Sequence, residues 1–367
     1  MHTLKRFIDC YIETETCNLR CHYCYITQKR RFNNKLVKFK HTPQEIRKAL
    51  SKERLGGTCL FNLCAGGETL LVAEILDVVM ELLAEGHYVM IVTNGVLTKR
   101  FEEFVKFDPS LLKKLFFKFS FHYLELLRLG KIEAFFQNVN KMKEVGASFT
   151  VEITPSDELI PYIQDVKDIC MEKLGALCHV TIARDDRTKG IDILSEHSFD
   201  EYKKIWGGFE SELFDFKTTI FYKKRKEFCY AGDWSLYLNL NTGKLTQCYG
   251  RREIDNIYRN IDEPLKIQAV GHNCNLPHCY NGHAFLTLGT IPELETPSYA
   301  NVRDRVNTSG EHWLQPAMRN IMNQKLKDNN QTYSVYQKQV VGLKEIFHKA
   351  GSVQKRISRS LKRKPNE

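Results

Sequence analysis

The sequence predicts an α/β fold: a partial barrel of six parallel strands, then a cysteine-rich segment and C-terminal helices. Three observations lead there. Through the first 185 residues a short β-rich run is followed by a helix-period stretch, again and again. From 226 to 290 the apolar helical pattern vanishes, and Gly, Asn, Cys and aromatics take over. After 291 the helical period returns and ends in a basic tail. A length of 367 residues suits two domains, or one large domain with an extension, at about 150 residues each.

The strands are predicted at Phe7–Glu13, Thr58–Leu63, Tyr88–Thr93, Leu115–Phe121, Phe149–Thr154 and His179–Ala183. Helices are predicted between them at about 43–54, 70–85, 98–106, 130–145 and 158–174. Leu71, Ile75, Val78, Val79 and Leu82 carry the helical period, and Gly86 and Gly146 follow helix ends, where a left-handed cap is expected. Strand alternating with helix implies βαβ units and a parallel sheet. Six strands are too few for a closed eight-stranded barrel, and in a partial one the chemistry belongs at the C-terminal strand ends. Residues 186–225 read as a polar connecting segment. Leu236-Tyr237-Leu238-Asn239-Leu240 alternates like a strand, and Asn241-Thr242-Gly243 reads as a hairpin turn. Leu314, Met318, Ile321 and Met322 mark one amphipathic helix; Val340, Leu343 and Phe347 mark another. The expected organisation is a barrel over 1–185, a connection over 186–225, a cysteine-rich domain over 226–290 and a helical region with a basic tail over 291–367.

Composition narrows the function classes. Apolar residues make up 43% and charged residues 27%, which excludes a disordered or low-complexity chain. No run of about 18 apolar residues is present to span a membrane. Met1-His2-Thr3-Leu4-Lys5-Arg6 has no apolar run behind it and is no secretory signal, so a cytoplasmic protein is expected. The net charge of +10 belongs to the ends. Residues 1–40 carry nine Lys/Arg against three Asp/Glu, and 343–367 carry eight against two, leaving a nearly neutral body. A stable nucleic-acid partner is therefore not expected. Val353, Ile357 and Leu361 recur among Lys355, Arg356, Arg359, Lys362, Arg363 and Lys364, a pattern suited to weak contact with an anionic surface.

Twelve cysteines in a reducing compartment point to metal ligands or buried thiols. Cys17, Cys21 and Cys24 form C-x3-C-x2-C directly after the first strand. Three thiolates within eight residues can wrap one face of an iron–sulfur cube and leave one iron open. Structural zinc would need a fourth ligand nearby. Cys229, Cys248, Cys274 and Cys279 form a second set, the first pair spaced C-x13-G-x4-C through Gly243 and the second C-x4-C. Four thiolates can hold a closed cluster or a zinc ion. Cys10, Cys59, Cys64, Cys170 and Cys178 lack ligand spacing and read as buried apolar thiols. Asp157, Glu158, Asp185 and Asp186 follow strand ends but receive no role.

The first cysteine motif, with Tyr23 just before its third Cys, resembles that of the radical S-adenosylmethionine (SAM) superfamily over about residues 5–185. Ala65-Gly66-Gly67-Glu68-Thr69 matches that family's Gly-Gly-Glu-Pro loop, with Thr69 replacing the Pro. Thr93-Asn94-Gly95 and Ser120 match further strand-end positions. The resemblance implies a SAM-binding 4Fe-4S cluster on Cys17, Cys21 and Cys24. It places SAM against Tyr23, Gly66, Gly67, Glu68 and Ser120, with Arg128 reading as a solvated side chain. It also implies cleavage of SAM to a 5′-deoxyadenosyl radical that takes a substrate hydrogen, with electrons from an external flavodoxin- or ferredoxin-type donor. The second set resembles the SPASM or shorter Twitch extension of such enzymes. One auxiliary 4Fe-4S cluster on Cys229, Cys248, Cys274 and Cys279 would make two in all. Peptide or protein oxidation or crosslinking is the expected activity. Dehydrogenation or rearrangement of a sugar, aminocyclitol or cofactor precursor is the alternative, kept open because the first strand leaves no room for an appended peptide-recognition domain. A non-catalytic zinc-binding interaction protein is the rival from another class.

Overall fold

The computed structural model describes residues 2–361, with side chains through His348. Six parallel strands follow the chain order: β1 (Leu4–Ile12), β2 (Thr58–Ala65), β3 (Tyr88–Thr93), β4 (Leu115–Ser120), β5 (Ser148–Ile153) and β6 (His179–Val180). They are the strands the sequence predicts, except that the last stops early. β5 ends at Ile153 and Pro155 follows, so Thr181, which donates to the Ile153 carbonyl, is the last residue with a ladder partner.

The alternation of the strands sorts their side chains. Phe117 and Phe119 of β4 turn outward among Phe101 and Phe104 of the helix Thr98–Phe104, with ring centroids 5.0–5.8 Å apart. The helix Ile75–Ala84 buries Ile75, Leu76, Val78, Val79, Leu82 and Leu83 against the same layer. Gly86 follows it at φ 95°, a conformation that a side chain disfavours. The helix Ile132–Glu144 buries Phe135, Phe136, Val139 and Met142.

Residues 186–225 are more than a connection. After a short antiparallel pair, β7 (Arg184–Asp185) and β8 (Asp192–Ile193), come two helices, Phe199–Gly207 and Glu212–Ile220. The first opens on a reciprocal capping box between Ser198 and Glu201, and Ser211 caps the second. Tyr202, Trp206, Leu213 and Phe214 are buried, so these helices pack as core.

The predicted hairpin is present as β9 (Ser235–Asn239) and β10 (Lys244–Thr246), turned at Gly243 with φ 75°, and β11 (Glu253–Asn256) extends it. β9 pairs parallel with the free edge of β1, Asp9 opposite Tyr237. One sheet results, in the order β11-β10-β9-β1-β2-β3-β4-β5-β6. The cysteine-rich segment is therefore continuous with the barrel wall. Pro316–Met322 forms the first predicted C-terminal helix and buries Met318, Ile321 and Met322. The second is one long helix, Val335–Leu361. Its expected stripe is corrected: Leu343 and Phe347 are 54% and 74% exposed, and what docks the helix is Val341 and the Glu345 carboxylate between Arg251 and Arg252. The basic tail side chains from Val353 to Leu361, and Lys362, Arg363 and Lys364 entirely, lie outside the described residues. Among the described residues no helix is long and apolar enough to cross a membrane.

The inward face of the barrel is polar. Asp9 of β1 lies opposite Asn62 of β2 and accepts its amide at 2.8 Å. Tyr249, beyond β10, reaches in and donates its hydroxyl to the other Asp9 oxygen. Burial outweighs these hydrogen bonds and raises the Asp9 pKa to about 6.

Two outcomes follow. Phe117→Ala should cost about 3–5 kcal/mol in urea unfolding, because its neighbours close the space only partly. Asp9 binds its proton more tightly folded than unfolded, so its contribution is complete below pH ~3.8 and lost as pH rises through about 6. At 1.36 kcal/mol per unit this amounts to about 3 kcal/mol. Asp9→Asn should gain on the parent by that order between pH 4 and pH 7 in the cluster-free chain. A difference that stays constant across this window would mean that the carboxylate ionises at no cost.

Candidate functional site

Two backbone turns meet at the C-terminal ends of β1 and β2. The Gly66 N–H donates to the Ile12 carbonyl and the Glu68 N–H to that of Thr16, both at 3.0 Å. The approach excludes side chains: a Cβ on Gly66 would stand 2.3 Å from the Thr14 oxygen, and one on Gly67 would stand 1.9 Å from that of Thr16. Glu68 turns inward. Its carboxylate accepts from the Leu70 N–H at 3.0 Å, the Thr93 hydroxyl at 2.7 Å and the Asn94 N–H at 2.8 Å, fastening the β2 loop to that after β3. Burial nevertheless holds its pKa above the usual carboxylate range. Thr69 fastens the loop at its other end, with its Oγ1 accepting the Ala65 N–H at 3.1 Å.

The cysteine loop hangs from this junction. Leu19 donates its N–H toward Cys17 Sγ at 3.4 Å, and Cys24 caps the short helix Tyr25–Gln28. The Asn94 amide reaches Asn18 Oδ1 at 2.7 Å, and Arg20 N–H donates to Glu125 at 3.1 Å. A cavity of about 510 Å³ opens here, lined by Cys17, Cys21, Cys24, Gly66, Gly67, Glu68, Asn94, Ser120 and His122. The sequence-predicted residues Gly66, Gly67, Glu68 and Ser120 thus meet the three cysteines in one place. Tyr23 does not join that lining: its hydroxyl bonds His122 Nδ1 at 2.6 Å, and its ring lines a neighbouring recess with Tyr123 and Arg128. Arg128 pairs with Glu125 at 2.9 Å. Burial pushes the Cys17 thiol up to about 11, and the Cys21 thiol higher still beside Cys24 and Cys17. His122, buried beside Lys118, falls to about 4 and is neutral.

The second cysteine set also converges. Cys229 exchanges backbone hydrogen bonds with Gly271 at 3.2 and 2.9 Å, and Cys248 follows β10 by two residues. Cys274 and Cys279 come from the next loop, and all four line one cavity of about 540 Å³ with Arg225 and Arg251. Burial pushes the Cys229 thiol up to about 12. Among the described residues no three Cys, His, Asp or Glu side chains gather at the spacing of a single metal ion. Each set instead surrounds a shared space.

Between the two lies the barrel interior, a cavity of about 1290 Å³. It shares Ala65 and Val92 with the first cysteine cavity, and Tyr249, Tyr280 and Asn281 with the second. Tyr11, Tyr25, Tyr237 and Tyr299 also line it, as do Asp9, Asn62, Cys64, Lys118, Arg184, His283 and Arg303. Cys64 corrects an expectation: two residues past the inward Asn62 on the same strand, it faces the cavity. Cys10, Cys59, Cys170 and Cys178 are buried as expected. Sequence reading missed His122, Lys118, His283, Arg303 and Tyr249. Only Tyr249, next to Cys248 in a cysteine motif, carried a signal.

The family model described as "Radical SAM: Radical SAM superfamily" matches residues 11–156. No curated protein matches the chain. Among solved structures, the chain is similar to Streptococcus suis SuiB bound to S-adenosylmethionine, at 14% identity over 71% of this chain and 66% of that one, with a TM-score of 0.48. It is also similar to anSMEcpe with bound AdoMet and the Cp18Cys peptide, at 18% identity over 69% and 78%, with a TM-score of 0.45. For BtrN in complex with AdoMet and 2-DOIA the identity is 12% over 71% and 82%, with a TM-score of 0.33. The cysteine loop, the Gly-Gly-Glu turn and the first five strands lie within or overlap the segment that the radical SAM superfamily model matches.

Proposed function

We propose that Cys17, Cys21 and Cys24 hold a 4Fe-4S cluster and that the chain acts on a peptide or protein segment entering the barrel cavity. One observation carries this reading. A single cavity is lined at once by those three cysteines and by Gly66, Gly67, Glu68 and Ser120, contributed by the ends of three different strands. The donor set fits the group. Three thiols line one common space, and three thiolates can take three corners of a cube. Bound there, the cluster and SAM supply a 5′-deoxyadenosyl radical that abstracts hydrogen.

The chain's own residues do the positioning. Gly66 and Gly67 bring bare backbone to the cavity edge, where a side chain would collide with the Thr14–Thr16 turn. Glu68 spends its oxygens on Leu70, Thr93 and Asn94, so its part is to hold the SAM-binding loop in place. Ser120 offers its hydroxyl from the end of β4. Tyr23, turned onto His122, orients the cysteine loop from behind. Cys229, Cys248, Cys274 and Cys279 would hold an auxiliary 4Fe-4S cluster closed by four thiolates, with Arg225 and Arg251 offsetting its charge. A closed cluster supplies a one-electron acceptor. The position of the barrel cavity between the two sites supports an oxidative reaction. Its hydrogen-bonding floor also suits the second reading, a hydroxyl-rich small molecule. An external low-potential donor and a cytoplasmic setting belong to the same proposal.

Anaerobically reconstituted protein should bind about eight irons per chain, and the triple change of Cys17, Cys21 and Cys24 to Ala about four. Four irons in the parent and none in the variant would remove the auxiliary cluster; zinc in place of iron would support the interaction-protein rival. Reduced protein with SAM should release 5′-deoxyadenosine, and Cys21→Ala should abolish it. Gly67→Ala should bind SAM at least about tenfold more weakly, because its Cβ forces the two turns apart. Unchanged SAM affinity in equilibrium dialysis would sink that account of the loop.

A further inference from the structure

The cationic side chains Lys118, Arg184 and Arg303 line the barrel cavity together with the carboxylates Asp9 and Asp186. Glu152 of β5, 6% exposed, accepts from Lys118 Nζ of β4 at 2.8 Å and from Arg303, itself 1% exposed. Lys217, 5% exposed, sits in the same group, and its Nζ donates to the Thr181 hydroxyl at 2.5 Å. Lys118 and Arg303 thus share one carboxylate, while burial draws the Lys217 amine down to about 7. Burying charge without a partner is costly, and Glu152 is the single carboxylate that both Lys118 and Arg303 contact.

The hydrogen bonds point the same way. Arg303 Nη2 donates to His283 Nε2 at 2.7 Å. That nitrogen must be the acceptor, so the neutral ring carries its proton on Nδ1. The Nδ1 atom is buried and has no partner, and neither has Arg303 Nε. Both are donors awaiting an acceptor. Arg184, at the cavity wall beside the second cysteine site, donates to Asn281 and stacks 5.5 Å from the Tyr280 ring centre. The ion pairs of the described residues include none to Arg184 or Lys217. On β1 and β2 the polarity reverses. Asp9 is already satisfied by Asn62 and Tyr249, and the acceptor Asn62 Oδ1 is left without a donor.

We propose that the cavity binds an oxyanion of the substrate, a carboxylate or a phosphate, through Arg184, Lys118 and the Arg303–His283 pair. An oxyanion accepts several charge-assisted hydrogen bonds at once and so can answer these donors together, which a neutral hydroxyl does not. The inference rests on the proposed function only in treating this cavity as the substrate's. It narrows the substrate to one that carries an acidic side chain or terminus, or a phosphate group.

The test titrates the reconstituted full chain anaerobically by calorimetry with two probes, inorganic phosphate and N-acetylaspartate. At least one should bind with a Kd below about 1 mM. Phosphate alone assigns a phosphate group, N-acetylaspartate alone assigns a carboxylate, and both together assign the shared oxyanion chemistry. Arg184→Gln should weaken binding about tenfold or more, the loss of one charge-assisted hydrogen bond. Arg184→Lys should recover part of it. Lys118→Met, which leaves Glu152 with Arg303, is the second variant should Arg184→Gln fail to fold. Failure of both probes to bind overturns the proposal, as does affinity unchanged in both variants. Iron content and 5′-deoxyadenosine release in the same preparation report on the radical SAM reading separately. A chain that cleaves SAM yet ignores both anions loses only the anion site.

Discussion

The carbonyls of Thr14 and Thr16 leave no space for a side chain on Gly66 or Gly67, and much of the site hangs on that contact. Two loops from adjacent strands can share backbone hydrogen bonds at 3.0 Å only if one of them is bare. Once they do, the segment carrying Cys17, Cys21 and Cys24 is fixed relative to β2. Glu68 then extends the constraint to β3 by accepting from Thr93 and Asn94. Asn94 closes the circuit by donating to Asn18 in the cysteine loop. Three strand ends and the cysteine loop are locked by side chains that need never touch a substrate. Such pre-organisation lets a site hold a reactive group without relying on loop flexibility.

The barrel wall serves two sites because β9 continues it. Asp9 pairs with Asn62 on one side and faces Tyr237 on the other, while Tyr249 arrives from the second cysteine segment to donate to it. The strands that carry the two cysteine segments are therefore registered to each other by pairing within one sheet.

The fold was legible because its signals are periodic and repeated. The six strands stand where short β-rich runs alternate with helical stretches, and the helix Ile75–Ala84 buries the residues whose spacing predicted it. The cysteine sets were legible through spacing, which a loop largely preserves in space. The helices Phe199–Gly207 and Glu212–Ile220 were hidden by their polar composition; the Ser198–Glu201 pair was the readable signal, a capping box without a long apolar run behind it. Lys118, Glu152, His283 and Arg303 were illegible for another reason. A lone charged residue carries no pattern, and these four acquire meaning only when β4, β5, the start of the helix His283–Thr287 and the loop holding Arg303 are folded together. Tyr23 failed differently: its place in a motif fixes its backbone, not the direction of its ring.

The pairing of β9 with β1 also shapes how the chain can be made. The first strand has one edge covered by β2 as soon as residue 65 is available, but its other edge waits for residues 235–239. Throughout the synthesis of the intervening stretch, a strand with buried residues at Leu4, Phe7, Ile8 and Cys10 presents unpaired N–H and C=O groups. Such an edge invites pairing with another chain, and the long loop closure needed to cover it is slow. A ribosome stalled between the two segments would therefore hold a nascent barrel that is formed but unsealed, and dependent on a holdase until its ninth strand arrives.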